Sequence, residues 1–127
     1  MKPDDLSCPL GIDLVELKKA RRFYLSSRRD LENYFTPGEV RFMRKHHRPH
    51  EALAEILAGK EALFKALPAS GRMGFEGLRT IRIVPKKTHW DFRVPRSSAA
   101  FLKKTRLSIH RHKHYVVALV QPCVGIS

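Results

Sequence analysis

An aspartate interrupts the apolar segment "GIDLV", and a glutamate interrupts the apolar run of "AEILAGKEALFKAL", residues 54–67. With only 12 Asp and Glu against 25 Lys and Arg, an acid inside an apolar stretch is informative. Asp13 sits where a charge costs free energy unless it is paired or bound to a metal. Two carboxylates from distant segments, Asp13 and Glu61, could share a hard divalent cation such as magnesium. That ion takes oxygen ligands, keeps several waters and usually shares its shell with substrate phosphates. The residues alone leave a plainer reading open, in which Asp13 pairs with a nearby Arg. Glu61 would then pair with Lys65, an i,i+4 pair in the favourable order.

These residues need elements to hold them. "LGIDLVEL", 10–17, is rich in branched residues and opens with a Gly, which predicts a strand carrying Asp13. "KKARRFYLSSRRDLENYF", 18–35, places Ala20, Phe23, Tyr24, Leu31 and Tyr34 on one side of a loosely amphipathic helix with a basic outer face. "TPGE" at 36–39 is a helix start, with Thr36 as cap, Pro37 at the first helical position and Glu39 as the capping-box carboxylate. That helix runs through "VRFMRKHH" to Pro49. The next spans roughly 50–67, with Leu53, Ile56, Leu57, Leu63, Phe64 and Leu67 as its core face, and stops at Pro68 and the turn-like "PASGRMG". Alternation in "RTIRIV" (79–84) and "HWDFRV" (89–94) predicts strands, the latter with Trp90, Phe92 and Val94 on one face. "RSSAAFLKK" reads as a short helix, and "TRLSIH" (105–110) and "YVVALV" (115–120) as two more strands joined by "RHKH". The order β-α-α-α-β-β-β-β predicts an α+β domain with helices packed on an antiparallel sheet.

Composition bounds the partners. The 127 residues suffice for one domain, 1–127, with a hydrophobic core, and the apolar fraction of 43% is in the globular range. No apolar run approaches the roughly 20 residues of a membrane span. The start "MKPDDLSCPL" lacks the apolar centre of a secretory signal. Cys8 and Cys123 lie at opposite ends without C-x-x-C spacing, which predicts free thiols in a reducing cytoplasm. A net charge of +13 attracts polyanions, whether phosphorylated ligands, an acidic protein, an acidic membrane surface or nucleic acid. A nucleic-acid partner is not expected, since there is no RNP-type, zinc-finger or helix-turn-helix signature.

"GIDLVEL", "YFTPGEV", "RPHEALA" and "GKEALFKAL" together resemble the small phosphopantetheinyl transferases known as holo-acyl-carrier-protein synthases. The corresponding family pattern is G-I-D-[IL]-V-E, F-T-P-x-E, N-P-x-E-x-L-A and F-A-x-K-E-A-x-x-K-A. The match runs without a gap from Phe35 to Leu67 and, with the strand before it, covers about half of the chain. The resemblance implies the 4'-phosphopantetheinyl transferase fold. It implies transfer of the phosphopantetheine arm of coenzyme A to a serine of an acidic apo acyl carrier protein, releasing adenosine 3′,5′-bisphosphate. It also implies a homotrimer with active sites shared between subunits.

By the same resemblance Asp13 and Glu61 match the magnesium ligands, with Glu61 also helping to deprotonate the serine, and Lys65 matches a phosphate-contacting lysine. Lys60 is expected to help with phosphate or to pair with Glu61. Arg44, Lys45 and Arg48 are expected near the nucleotide phosphates. Lys19, Arg22, Arg28 and Arg29 are candidates for the carrier face, since the family docks its carrier on the first helix.

Two departures stand out. Ile56 occupies the position, four before the Lys-Glu pair, where the family carries an Arg. The family's S-x-S-H becomes Ser108, Ile109, His110 and Arg111, counted back from Tyr115. His110 and Arg111 are therefore the candidates for the coenzyme A phosphate contact, Arg111 through bidentate bonds. His110, His112 and His114 alternate without an acidic partner and read as solvated loop residues rather than metal ligands. The altered segment motivates a second reading, a non-catalytic relative that binds carrier or coenzyme A without transfer.

Overall fold

The structure, a computed structural model, describes residues 9–68 and 78–123. Cys8 and all of the expected "PASGRMG" turn except Pro68 lie outside the described residues. Five strands, β1 (Gly11–Glu16), β2 (Arg82–Pro85), β3 (Trp90–Arg93), β4 (Thr105–Arg111) and β5 (Tyr115–Pro122), form one sheet in the order β1-β5-β4-β3-β2. Every neighbouring pair is antiparallel. The helices are α1 (Leu17–Ser27), α2 (Pro37–Lys45), α3 (Pro49–Ala66) and the single turn α4 (Arg96–Ala99). The expected α+β architecture is the one found, with the last strand paired back onto the first.

The centre of the molecule is α3. Eleven of its eighteen residues are buried, so it has no single apolar stripe and packs on several sides. It lies on β1, β5, β4 and β2 and is itself covered by α1 and α2. Leu53, Ile56, Leu63 and Leu67 are buried as expected, against Val116, Ala118 and Val120 of the sheet, while Leu57 and Phe64 are partly buried. At Gly11 the strand backbone runs directly against this helix. A Cβ there would stand 2.0 Å from the Ala62 carbonyl oxygen, so only glycine permits the approach. That contact brings the start of β1, and Asp13 two residues on, down onto the last two turns of α3.

Local signals explain the helix ends. Thr36 and Glu39 form the full capping box, with Thr36 Oγ1 accepting from the Glu39 amide and Glu39 Oε1 accepting from the Thr36 amide. The first helix is shorter than its sequence pattern predicts. It stops at Ser27, where Ser26 Oγ donates back to the Phe23 carbonyl, and Leu31–Asn33 form a separate 3-10 turn. Serine competes with the helical backbone for hydrogen bonds, which favours a helix end at this position. Arg79 and Thr80 likewise sit in a 3-10 turn rather than in the strand expected at 79–84.

Candidate active site

Asp13 points to the helix side of the sheet, as strand alternation requires of a residue two on from Gly11. There it meets α3. Lys65 Nζ donates to Asp13 Oδ1 at 2.7 Å, and the Glu61 carboxyl lies one helical turn earlier, beside the same aspartate. The structure thus brings Asp13, Glu61 and Lys65 together across 52 residues of sequence. The partner of Asp13 is a lysine rather than an arginine.

The electrostatics are those of a crowded carboxylate pair. Burial, then the negative charge of Asp13 and the hydrogen bond to it, push the Glu61 carboxyl above its usual 4.5, with Lys65 opposing. A hydrogen bond between two carboxyls needs a shared proton. Without that proton Asp13 Oδ2 is buried and faces no donor. A buried oxygen without a donor beside a second carboxylate is what a hard cation requires, so the residues present fit magnesium. Among the described residues no group of three or more His, Cys, Asp or Glu side chains is arranged as a metal site.

Lys60 does not join this site, contrary to expectation. Adjacent residues on a helix point about 100° apart, and Lys60 turns inward. Its side chain is fully buried, paired with Glu39 Oε1 at 2.7 Å and donating to the carbonyls of Ile81 at 2.6 Å and Leu78 at 3.1 Å. Burial holds its ammonium below the usual lysine value against the pull of Glu39. Glu39 also accepts from the Ile83 amide at 2.7 Å, so the pair ties α2 and α3 to the start of β2. Ile56 is buried in the core and contributes packing where the family has a cation.

A second polar cluster lies near the start of α3. Glu51 is buried and holds two arginines, Arg48 at 3.2 Å and Arg111 from the end of β4. Burial works to raise the Glu51 carboxyl, but its hydrogen bond to Arg48 and the charges of Arg111 and Arg48 outweigh it and leave it lowered. Arg111 and His110 line a groove of about 1030 Å³ together with Ser108, Glu55, Lys86, Lys87 and the Trp90 ring. Phe42 forms part of the wall, its ring 6.2 Å from Trp90 in an edge-on contact. Glu55 is held above the usual carboxylate value by burial, with the charge of Glu51 adding and Arg111 opposing.

Arg44 is placed elsewhere. It bonds the Arg28 carbonyl at 3.2 Å and Glu32 at 3.5 Å, and lines a depression with Arg28 and Arg29. Lys19, Arg22 and Lys45 are exposed. Sequence reasoning did not single out Glu51, Glu55, Lys86 or Lys87. The signal available for Glu51 was the one that exposed Asp13, an acid set among apolar residues.

Comparisons with known proteins place the chain among relatives of one family and one fold. The profile of the 4'-phosphopantetheinyl transferase superfamily matches residues 9–120. A holo-[acyl-carrier-protein] synthase of Thermodesulfovibrio yellowstonii is 30% identical over 112 residues, covering 87% of this chain and 94% of the relative. Its counterpart from Chlamydia muridarum is 31% identical, covering 87% and 90%. Among solved structures, the holo-[acyl-carrier-protein] synthase of Neisseria meningitidis superposes with a TM-score of 0.68 at 23% identity, over 88% of this chain and 94% of that one. The Helicobacter pylori synthase, solved in complex with coenzyme A, gives 0.68 at 19% identity over 88% and 97%. At those identities the structures speak for the fold.

Proposed function

The chain belongs to the 4'-phosphopantetheinyl transferase superfamily, and we propose that it moves the phosphopantetheine arm of coenzyme A onto a serine of an apo acyl carrier protein, releasing adenosine 3′,5′-bisphosphate. The observation that carries this reading is the meeting of Asp13 with Glu61 and Lys65, two carboxylates and an ammonium with one buried carboxylate oxygen left without a donor. Asp13 and Glu61 would hold a magnesium ion, which when bound neutralises charge on the pyrophosphate of the substrate. Lys65, half exposed at the edge of the pair, offers phosphate a mobile point charge. Glu61, whose carboxyl the site holds above its usual range, is suited to take the proton of the incoming serine.

The nucleotide is assigned to the groove at the start of α3. Its aromatic wall suits a base, and Arg111, Lys86 and Lys87 suit phosphate. Ten residues of helix separate Glu51 from Glu61, about 15 Å at the helical rise, a span that extended coenzyme A covers. Arg44 is reassigned from the nucleotide to the basic depression it shares with Arg28 and Arg29. That depression, with exposed Lys19 and Arg22, faces the acidic carrier.

The homotrimer we propose would join its subunits through the outer face of the sheet. Ile12 and Leu14 are 61% and 57% exposed, and they stand opposite Leu119 and Val117 in register. No helix among the described residues is long and apolar enough to cross a membrane. A second self is the partner we assign to this apolar face, in a cytoplasmic setting where the exposed Cys123 thiol stays free. The test is mass spectrometry of apo carriers of fatty-acid and polyketide type after incubation with the chain, coenzyme A and magnesium. Arm-mass addition supports transfer, whereas carrier binding without addition would favour the non-catalytic reading that the changed Ser108–Arg111 segment raises.

A further inference from the structure

The two oxygens of Asp13 are in unequal circumstances. Oδ1 receives the Lys65 ammonium at 2.7 Å, and the same ammonium stands 3.5 Å from the Ile12 carbonyl oxygen. Oδ2 is buried and meets no donor. The two partners also differ in freedom. The Asp13 side chain is 8% exposed and fixed by its strand, whereas the Lys65 side chain is 52% exposed on a flexible four-carbon stem. An ammonium and a dication on one carboxylate repel each other, so a cation entering at Asp13 and Glu61 competes with Lys65 unless the lysine has another anion to go to. The substrate brings that anion.

We propose that Lys65 caps Asp13 in the substrate-free chain and transfers to a phosphate of coenzyme A on binding, so that the carboxylate pair takes a divalent cation tightly only together with the substrate. The proposal rests on the phosphopantetheinyl-transfer reading above and adds an order of loading to it. Lys65 is in this account a positioning residue as well as a phosphate contact. It holds the strand aspartate in place without a metal and leaves when metal and phosphate arrive together. Linkage makes the effect reciprocal, since the factor by which coenzyme A tightens the cation is the factor by which the cation tightens coenzyme A.

The test is a manganese titration of the full chain followed by electron paramagnetic resonance, with and without coenzyme A, corrected for manganese bound by coenzyme A alone. In the unsubstituted chain coenzyme A should tighten manganese by at least about fivefold, the lower end of ordinary coupling between sites. Lys65→Met and Lys65→Gln, at a half-exposed position, should bind manganese several-fold more tightly without coenzyme A and lose most of the enhancement. Lys65→Arg keeps a cation on Asp13 and should bind as weakly as the unsubstituted chain. If Asp13→Asn abolishes manganese binding but Lys65→Met and Lys65→Gln bind it no more tightly than the parent, the capping proposal is overturned and the cation site stands. If Asp13→Asn leaves manganese binding unchanged in both states, the cation reading fails, and the cap with it.

Discussion

Burial and the neighbouring Asp13 penalise the charged form of Glu61 more than Lys65 favours it. Its carboxyl is raised by burial and by Asp13, so between the usual 4.5 and its raised folded value the native chain holds more protons than the unfolded one. Stability contributed by this group therefore falls as pH rises through that window. Glu61→Gln removes the charge, so it should melt above the parent chain at neutral pH without divalent cation. The gap should close as pH drops below 4.5, where both side chains are neutral. Paired melting curves across that range check it, and an unchanged or lower melting temperature at neutral pH would contradict it. Asp13 and Glu61 stood out in the sequence as acids in apolar runs, but spacing alone left a salt-bridge reading open, and only the motifs around them pointed to a shared cation. The partners were not legible there. Lys65 reaches Asp13 across 52 residues and Arg111 reaches Glu51 across 60, pairings set by tertiary packing rather than by spacing.

At the level of elements, the helix beginning at Pro37 and the long helix after Pro49 could be drawn from caps and prolines, because those signals act within one turn. The end of α1 could not, since Ser26 and Ser27 break a helix whose apolar pattern continues past them. Nor does periodicity say which way Lys60 points on a helix buried on several sides. Packing decides it, and turns the lysine inward to Glu39 and the carbonyls of Leu78 and Ile81. The Phe35 ring lies against the same ammonium, 5.6 Å from its centre. Removing one member of a buried ion pair strands the other, which costs about 3–5 kcal/mol. Lys60→Met should therefore lower unfolding free energy by about that amount in urea titrations, even though it touches neither Asp13 nor Glu61. A loss within the ~0–1 kcal/mol of an exposed pair would show that Lys60 does not anchor α3.

Over the whole molecule, the excess of positive charge and an apolar strip on the sheet concern partners rather than the carboxylate site. The excess charge of +13 suits a chain whose proposed substrates, coenzyme A and an acidic carrier, are both anions. The apolar strip of Ile12, Leu14, Val117 and Leu119 lies on the opposite face of the sheet from α3. If it joins subunits, Leu14→Glu should convert a trimer to monomers in light scattering coupled to size exclusion. A parent chain that is itself monomeric, or a variant that stays trimeric, would contradict that assignment. Asp13 and Glu61 are proposed to carry the transfer. Its most direct measurement is the mass of an apo acyl carrier protein after incubation with coenzyme A, magnesium and the parent, Asp13→Ala or Glu61→Ala chain. The parent chain should add the phosphopantetheine arm, a reaction stopped by a chelator and abolished by either substitution. Addition that persists in Asp13→Ala and Glu61→Ala, or none from the parent with any carrier, would contradict that proposal.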